Sequence, residues 1–158
     1  MNVSKWLSRA VSTDKVRDYL KYVFIKNGKA TSTNGYMVFQ ADTPQLEDGG
    51  YIASKEKLIK AAEWSSLCLP NFGKVIPSDD LLEPTGLTIS TTKDSVSLTS
   101  CLIQIRENTS KALDYKLLER VLLPTDKSKG TFEVFHTANM VVFKNTMGAL
   151  AVVAPIRV

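Results

Sequence analysis

The chain has 158 residues, enough for one domain with a substantial core and too few for two domains of ordinary size. With 44% hydrophobic and 23% charged residues, its composition is that of a globular protein and argues against wholesale disorder. No apolar run approaches the roughly 18 residues of a membrane helix, and the start carries no secretion signal, so we expect a cytoplasmic protein. The net charge of +4 and the pI near 9.0 permit a polyanionic partner without requiring one.

The first half of the chain predicts helix, strand pair, loop and helix. Apolar residues at helical spacing predict a helix over residues 3–11, with Ser4 as a plausible N-cap. Two strands are predicted in KYVFIKNG and KATSTNGYMVFQAD, joined by a tight turn at Asn27 and Gly28. A loop, TPQLEDGG, follows, and a second helix is predicted to start near Ser54 in SKEKLIKAAEW.

The second half predicts strands around a third helix. The proline-rich stretch LPNFGKVIPSDDLLEPTG is typical of an extended connection, and strands are predicted in LTISTT and SVSLTSCLIQI. A helix is predicted over residues 114–123, with Pro124 beyond its end. The strands TFEVFH, NMVVFKN and GALAVVAPIRV close the chain. This order favours an α+β fold with antiparallel sheet.

Two stretches at opposite ends of the chain resemble the DNA sliding clamp of the bacterial DNA polymerase III beta-subunit type. Residues 10–37, AVSTDKVRDYLKYVFIKNGKATSTNGYM, are similar to a clamp passage that ends in Thr-Asp-Gly-His-Arg-Leu. The carboxyl end, AVVAPIRV, is similar to the clamp terminus Val-Val-Met-Pro-Met-Arg-Leu. Weaker likenesses are LDYKLLERVLLP with the strands after it, and PNFGKVIPSD in mid-chain.

The resemblance implies a DNA clamp-like domain, an α+β fold with antiparallel sheet and helices packed on one face. The family has three such domains in each chain, whereas residues 1–158 have room for one, with a possible insertion around residues 55–86. Tyr36 and Met37 stand where the family motif has His and Arg. Because a clamp ring uses six such domains, one domain per chain implies a homo-oligomer with head-to-tail contacts.

The resemblance also implies a groove that takes short peptides from polymerases and other clamp partners. Its candidate residues are Thr33, Gly35, Tyr36, Met37, Val38, Val153, Ala154, Pro155, Ile156 and Arg157. Gly35 lets the backbone turn without a side chain in the way, Met37 offers an adaptable apolar surface, and Arg157 offers donors at the rim. The alternative is that VVAPI is an ordinary core strand and Tyr36 an ordinary sheet residue.

In clamps the helices line the central hole and touch the DNA backbone without reading sequence. The candidates for phosphate contact are Lys5 and Arg9 on the first helix and Lys116 and Arg120 on the third. Lys116 and Arg120 are four residues apart and share one helical face, which Glu119 and Asp114 dilute. The alternative is a solvated helix surface with no nucleic-acid partner.

No catalytic constellation is found in the sequence. His136 is the only histidine, and neither a Walker loop nor a G-x-G-x-x-G motif is present. Cys68 and Cys101 have no metal-site spacing and are interpreted as small buried hydrophobic residues. We therefore expect a binding protein with no catalytic residues, no metal and no cofactor.

The function implied by the resemblance is that of a DNA polymerase processivity factor or a clamp-related replication accessory protein, with a phage as one origin. The implied partners are double-stranded DNA, bound weakly and non-specifically, and a DNA polymerase or other replication protein that supplies a short peptide. Two alternatives stay open. One is a clamp-fold binding module or clamp mimic that does not encircle DNA, and the other is a structural or assembly protein of a mobile element.

Overall fold

A computed structural model describes residues 1–11, 18–54, 56–61 and 72–156 of the chain. Within these ranges the helices, in chain order, are α1 (Val3–Ser8), α2 (Ser95–Thr109) and α3 (Tyr115–Leu122). The strands are β1 (Val23–Lys26), β2 (Lys29–Thr33), β3 (Met37–Asp42), β4 (Gly49–Ala53), β5 (Leu58–Ala61), β6 (Glu83–Ser90), β7 (Thr131–His136), β8 (Val141–Lys144) and β9 (Leu150–Val153). No helix among the described residues has the length and apolarity of a membrane span.

The nine strands form one antiparallel sheet in the order β5-β4-β1-β2-β3-β9-β8-β7-β6. Two four-stranded halves, β4-β1-β2-β3 and β6-β7-β8-β9, meet where β3 pairs with β9 and Met37 lies opposite Val153, and β5 is added at the outer edge of the first half. A helix precedes the three successive strands of each half, α1 before β1–β3 and α3 before β7–β9. The two halves therefore share the same order of one helix followed by three strands.

All three helices pack on one face of this sheet. Trp6 and Leu7 of α1, Ile105 of α2 and Leu118 of α3 are fully buried in the same apolar cluster as Phe39 of β3. The strands contribute alternate residues to this cluster, as the two-residue period of a strand requires. The predicted α+β architecture, an antiparallel sheet with helices on one face, is confirmed.

The opposite face of the sheet carries a second, smaller apolar cluster. Val38, Val142 and Val152 are buried there, although they come from three adjacent strands whose neighbouring residues face the helices. Ile76 and Leu82, from the connection between β5 and β6, pack against them. The proline-rich connection therefore covers part of the sheet instead of leaving its outer face in water.

Several predicted elements are confirmed at the level of backbone geometry. Asn27 and Gly28 have φ values of 53° and 76°, the two positive values that a type I′ hairpin turn needs, and they join β1 to β2. The predicted third helix corresponds to α3, and its N-cap Asp114 accepts hydrogen bonds from the backbone N–H of Lys116 and Leu117. The three closing strands correspond to β7, β8 and β9.

The helix predicted to start near Ser54 is wrong, because that segment forms β5. Ser54 and Lys57 close a tight turn through a Ser54 N–H to Lys57 O hydrogen bond of 2.9 Å. Leu58 then pairs with Ala53 across the β4–β5 ladder. The hydroxyl of Ser54 does accept from Lys57 N–H at 3.1 Å, the contact expected of a helix cap, but here it supports a turn. Residues 62–64, the rest of the predicted helix, lie outside the described residues.

The strand predicted in SVSLTSCLIQI is also wrong, because this segment begins α2. Asp94 caps it by accepting from Val96 N–H at 3.3 Å and from the Ser97 hydroxyl at 2.8 Å. The buried residues Leu98, Cys101 and Ile105 follow the three- and four-residue spacing of a helix face. The β-branched and hydroxyl-bearing residues between them favour strands or turns intrinsically, but packing against the sheet decides the outcome.

The first helix begins two positions earlier than its predicted cap implies. Asn2 is the N-cap and accepts from Lys5 N–H at 3.0 Å, whereas Ser4 is buried and donates its hydroxyl to Ser54 O at 2.6 Å. Ser4 therefore joins α1 to the turn between β4 and β5.

Candidate functional site

A cleft of about 1140 Å³ opens where four parts of the chain meet. Its walls are the turn after β2 (residues 34–36), the segment after β9 (residues 154–156), the end of α1 and one side of α3. We call this space the cleft and residues 154–156 the terminal segment. The two stretches that carry the clamp resemblance, although they are more than a hundred residues apart, thus line the same space.

The turn after β2 is held by its own side chains. The hydroxyl of Thr33 accepts from Gly35 N–H at 3.1 Å and donates to Met37 O at 2.8 Å. The side-chain oxygen of Asn34 accepts from the backbone N–H of Tyr36 at 2.9 Å and of Met37 at 3.1 Å. Gly35 has φ of 93°, a left-handed conformation that favours glycine. These contacts fix the backbone and leave the Tyr36 side chain 66% exposed.

The terminal segment is held on both sides by backbone hydrogen bonds. Ala154 N–H donates to Tyr36 O at 3.0 Å, which extends the β3–β9 pairing by one step. Ile156 N–H donates to Ala112 O at 2.8 Å, in the connection between α2 and α3. Pro155 lies between these two anchors and has no N–H of its own to satisfy. The Ile156 side chain is left 50% exposed.

Only part of the predicted groove lines the cleft. Gly35, Tyr36 and residues 154–156 do so, together with Asn34 and Leu117, which are not among the predicted groove residues. Asn34 could have been identified from its place directly before Gly35, because an Asn-Gly pair commonly forms a turn that the Asn side chain stabilises. Arg157 lies outside the described residues.

The other predicted groove residues are placed elsewhere by the strand pattern. Met37 is 1% exposed and Val153 is fully buried, and both belong to the core beneath the helices. Val38 lies in the cluster on the opposite face of the sheet. Thr33 holds the turn through hydrogen bonds instead of forming a wall. The expectation that Met37, Val38 and Val153 form walls of an open groove is therefore corrected, since all three are core residues.

Three of the four cations predicted to meet DNA also line the cleft. Lys116 and Arg120 reach it from the exposed side of α3, and Arg9 reaches it from the end of α1. Asp114 and Glu119 lie among them, so the local charge is mixed. Lys5 is exposed on α1 but does not line the cleft. The two sites that the resemblance suggested separately thus share one surface.

Arg9 has a structural role that its sequence position did not reveal. Its guanidinium donates to Leu123 O, to Pro124 O at 3.0 Å and to Arg120 O at 3.5 Å, all beyond or at the carboxyl end of α3. These carbonyls have no partner inside the helix, and a cation there also suits the helix dipole. Burial lowers the pKa of Arg9 from its usual value, but it stays charged at neutral pH.

We predict that Arg9→Met lowers the free energy of unfolding by about 2 kcal/mol, because methionine keeps the aliphatic bulk but removes every donor to these carbonyls. Urea unfolding followed by circular dichroism measures the change. Lys5→Met is the matched control, since it removes the same charge from an exposed position of the same helix and should change stability by less than about 0.5 kcal/mol. Equal stability of the two variants would contradict a structural role for Arg9.

The first ten residues of α2, the longest described helix, present an uncharged surface to solvent. The exposed residues of this part are Ser95, Val96, Thr99, Ser100, Ile103 and Gln104, whereas the charged residues Arg106 and Glu107 are exposed in the last turn. Phosphate contact needs cations, so this part of α2 offers none of the charge by which a helix would hold DNA. The helix was not predicted from the sequence, and its surface weakens the DNA expectation drawn from the other two helices.

The remaining candidate residues have structural surroundings. Cys101 is buried in α2, and burial raises the pKa of its thiol; Cys68 lies outside the described residues. His136 ends β7, with its Nδ1 3.4 Å from Lys111 Nζ and its Nε2 3.6 Å from a carboxylate oxygen of Glu83. In the described part of the chain, no three His, Cys, Asp or Glu side chains lie close enough together to hold a metal ion.

The sequence matches no protein-family model, and no curated protein matches it with statistical significance. Solved sliding clamps, however, have a similar fold. The DNA polymerase sliding clamp of Bacillus subtilis gives a TM-score of 0.62 at 11% identity over 99% of this chain and 62% of that one. The DNA polymerase III beta chain of Streptococcus pneumoniae gives 0.61 at 13% identity over 99% and 62%. The Bartonella birtlesii sliding clamp, bound to griselimycin, gives 0.57 at 14% identity over 98% and 63%.

Nearly the whole of this chain superposes on these clamps, but it spans only 62% to 63% of their length. At identities of 11% to 14% the likeness concerns the fold and not the identity of site residues. The sequence resemblance and the three-dimensional comparison agree on the same family of structures. The chain therefore has the fold of the bacterial DNA sliding clamp.

Proposed function

We propose that this chain is a non-catalytic, clamp-related accessory protein of DNA replication that captures short peptides in the cleft. The observation that carries the proposal is the meeting of the Thr-Asn-Gly turn and the terminal segment, joined by the Ala154 N–H to Tyr36 O hydrogen bond. Each of these two stretches also resembles clamp sequences by its own residues. A fold alone does not imply a function, whereas a site built from these same residues supports one.

The chemistry of the cleft suits a peptide with apolar anchors. Tyr36 and Ile156 expose apolar surface on walls whose backbones are fixed by hydrogen bonds, so little ordering is needed on binding. Leu117 adds apolar surface from α3, and Lys116 and Arg120 lie at the polar side. Apolar surface for binding, combined with polar groups that fix orientation, is the usual form of a ligand site.

We predict that Ile156→Asp weakens docking of a labelled peptide carrying two large apolar anchors by about 100-fold or more. The substitution removes an apolar contact and places a charge that the bound peptide would desolvate, and each effect costs kcal/mol. Fluorescence polarisation with the purified chain measures the affinity.

The matched control is Ile103→Asp on α2. Ile103 is 53% exposed, close to the 50% of Ile156, but lies on a different surface. This variant should bind the peptide as the parent does. The proposal fails if the parent binds no such peptide, or if the two variants lose affinity equally.

The second part of the proposal is DNA contact through Lys116 and Arg120. We predict that reversing both to Glu weakens low-salt binding of double-stranded DNA and lowers the slope of log affinity against log salt by roughly two, because two fewer counterions are released. Reversal of Lys93 and Lys127, which are exposed elsewhere, is the charge-matched control. Absence of binding in low salt, or an equal effect of both pairs, would show that α3 does not face DNA.

A sliding clamp acts by encircling DNA, and we propose a homo-oligomeric ring as the form in which this chain would do so. β5 and β6 end the sheet, and each has one side without a strand partner among the described residues. Head-to-tail pairing of these edges would continue the sheet from one copy to the next. Light scattering separates the candidates: a stable hexamer supports the ring, whereas a monomer that still binds peptide supports a binding module or clamp mimic.

A further inference from the structure

A second cavity, of about 620 Å³, lies directly behind the cleft. Residues 154–156 line both spaces, so the terminal segment is the partition between them. Its far side is formed by the end of α2, the connection to α3 and the β7–β8 turn. We call this space the rear cavity. A peptide that extends from the cleft over the terminal segment would therefore reach the rear cavity.

Among the described residues, those that line the rear cavity include two cations and no carboxylate. Arg106 comes from the last turn of α2 and Lys111 from the connection after it. Neither is within 4 Å of a carboxylate oxygen belonging to the described residues. The cleft differs, because Asp114 and Glu119 accompany its cations.

Lys111 is held in place by a backbone carbonyl, a hydroxyl and the imidazole of His136. Its ammonium lies 3.3 Å from Thr109 O and 3.4 Å from Nδ1 of His136, while its backbone N–H donates to the Thr109 hydroxyl at 3.1 Å. Ser110, just before it, is left-handed with φ of 60° and caps α2 by donating its N–H to Arg106 O at 2.9 Å. Glu83 approaches only the far nitrogen of the imidazole, at 3.6 Å. A fixed ammonium without an acidic partner favours an anion from outside.

We infer that the rear cavity takes the carboxylate of an acidic residue that flanks the apolar anchors of the docked peptide, with Arg106 and Lys111 as its partners. The inference rests on the proposed peptide docking and names the kind of partner that the cleft selects. A carboxylate beside two cations makes charge-assisted hydrogen bonds, which discriminate strongly against a neutral residue of the same shape. The partner is therefore an apolar peptide with an acidic flank.

The test compares two peptides that carry the same apolar anchors, one flanked on both sides by Glu and the other by Gln. The parent chain is expected to bind the Glu peptide roughly tenfold tighter in low salt, and the difference should shrink at high salt because the ions screen the charges. The double variant Arg106→Met/Lys111→Met should bind both peptides with the affinity that the parent has for the Gln peptide. Each single variant should lose part of the preference, so the result does not depend on the double variant folding.

The control is Lys93→Met/Lys127→Met, which changes the net charge equally at exposed positions outside both cavities and should keep the preference. Equal binding of both peptides by the parent, or a preference that survives in Arg106→Met/Lys111→Met, overturns the inference but leaves peptide docking in place. Failure of both peptides to bind overturns the docking proposal and this inference together. Loss of the preference in the control variant would assign it to net charge and also overturn the inference.

Discussion

Trp6→Ala is expected to lower the free energy of unfolding by about 3–5 kcal/mol, the scale found when a large aromatic residue is removed from a core. The Trp6 side chain is 1% exposed. Its ring stacks on Phe39 with centroids 4.2 Å apart and on Phe132 with centroids 6.0 Å apart. Its indole N–H donates to Val121 O at 3.1 Å. One side chain thus joins α1 to both halves of the sheet and to α3.

Chemical unfolding followed by circular dichroism measures this loss. Trp6→Phe is the matched variant, because it keeps an aromatic ring but removes the donor to Val121 O. We expect it to cost about 1–3 kcal/mol, the penalty for leaving a buried carbonyl unpaired. If Trp6→Ala stays within about 1 kcal/mol of the parent, α1 does not pack on the sheet as described.

Local sequence signals were sufficient to predict the elements whose backbone conformation depends on a few individual residues. Asn27 and Gly28 tolerate positive φ, so the first hairpin was predictable from two residues. Asp114 before an apolar helical repeat and Pro124 after it bounded α3 closely. The apolar stretches TFEVFH, NMVVFKN and GALAVVAPIRV predicted the last three strands, and the order of the elements favoured the α+β class.

The segments that were predicted wrongly are those in which tertiary contacts outweigh the local conformational preference of the residues. The segment around Ser54 contains the helix-forming residues Lys, Glu and Ala, but Leu58 to Ala61 pair with the edge of β4 and form a strand. In α2, Thr and Ile favour strands and Ser favours turns, but Leu98, Cys101 and Ile105 bury one helical face against the core. A sequence pattern read over a few residues contains neither the edge of β4 nor the core against which α2 packs.

The candidate site was predictable as a pair of stretches but not as a surface. Likeness to a family motif identifies which stretches meet, whereas strand alternation decides which side chains of each stretch point into the space. Tyr36 and Met37 are neighbours in the motif, yet one is exposed at the cleft and the other is buried. The role of Arg9 could not be predicted from the sequence either, because the carbonyls that it contacts lie more than a hundred residues away in the chain.

Met37→Asp is expected to abolish the cooperative unfolding transition, whereas Ile156→Asp should change the melting temperature little. Met37 is 1% exposed in the core, and an unpaired carboxylate there costs several kcal/mol, a large share of the 5–15 kcal/mol by which a typical domain is stable. Ile156 is half exposed, so a carboxylate at that position stays in water. Thermal melting followed by circular dichroism measures both.

Met37→Leu is the control for position 37, because a volume-conserving apolar exchange in a core usually costs less than about 1.5 kcal/mol. A folded Met37→Asp variant with a melting temperature near that of the parent would place Met37 at the cleft and contradict the assignment of this side chain to the core. The expected result makes position 37 unusable for testing peptide docking, since loss of binding would follow from loss of the fold. Position 156 separates the two effects, because there the apolar contact can be removed while the sheet, the helices and the turn after β2 stay in place.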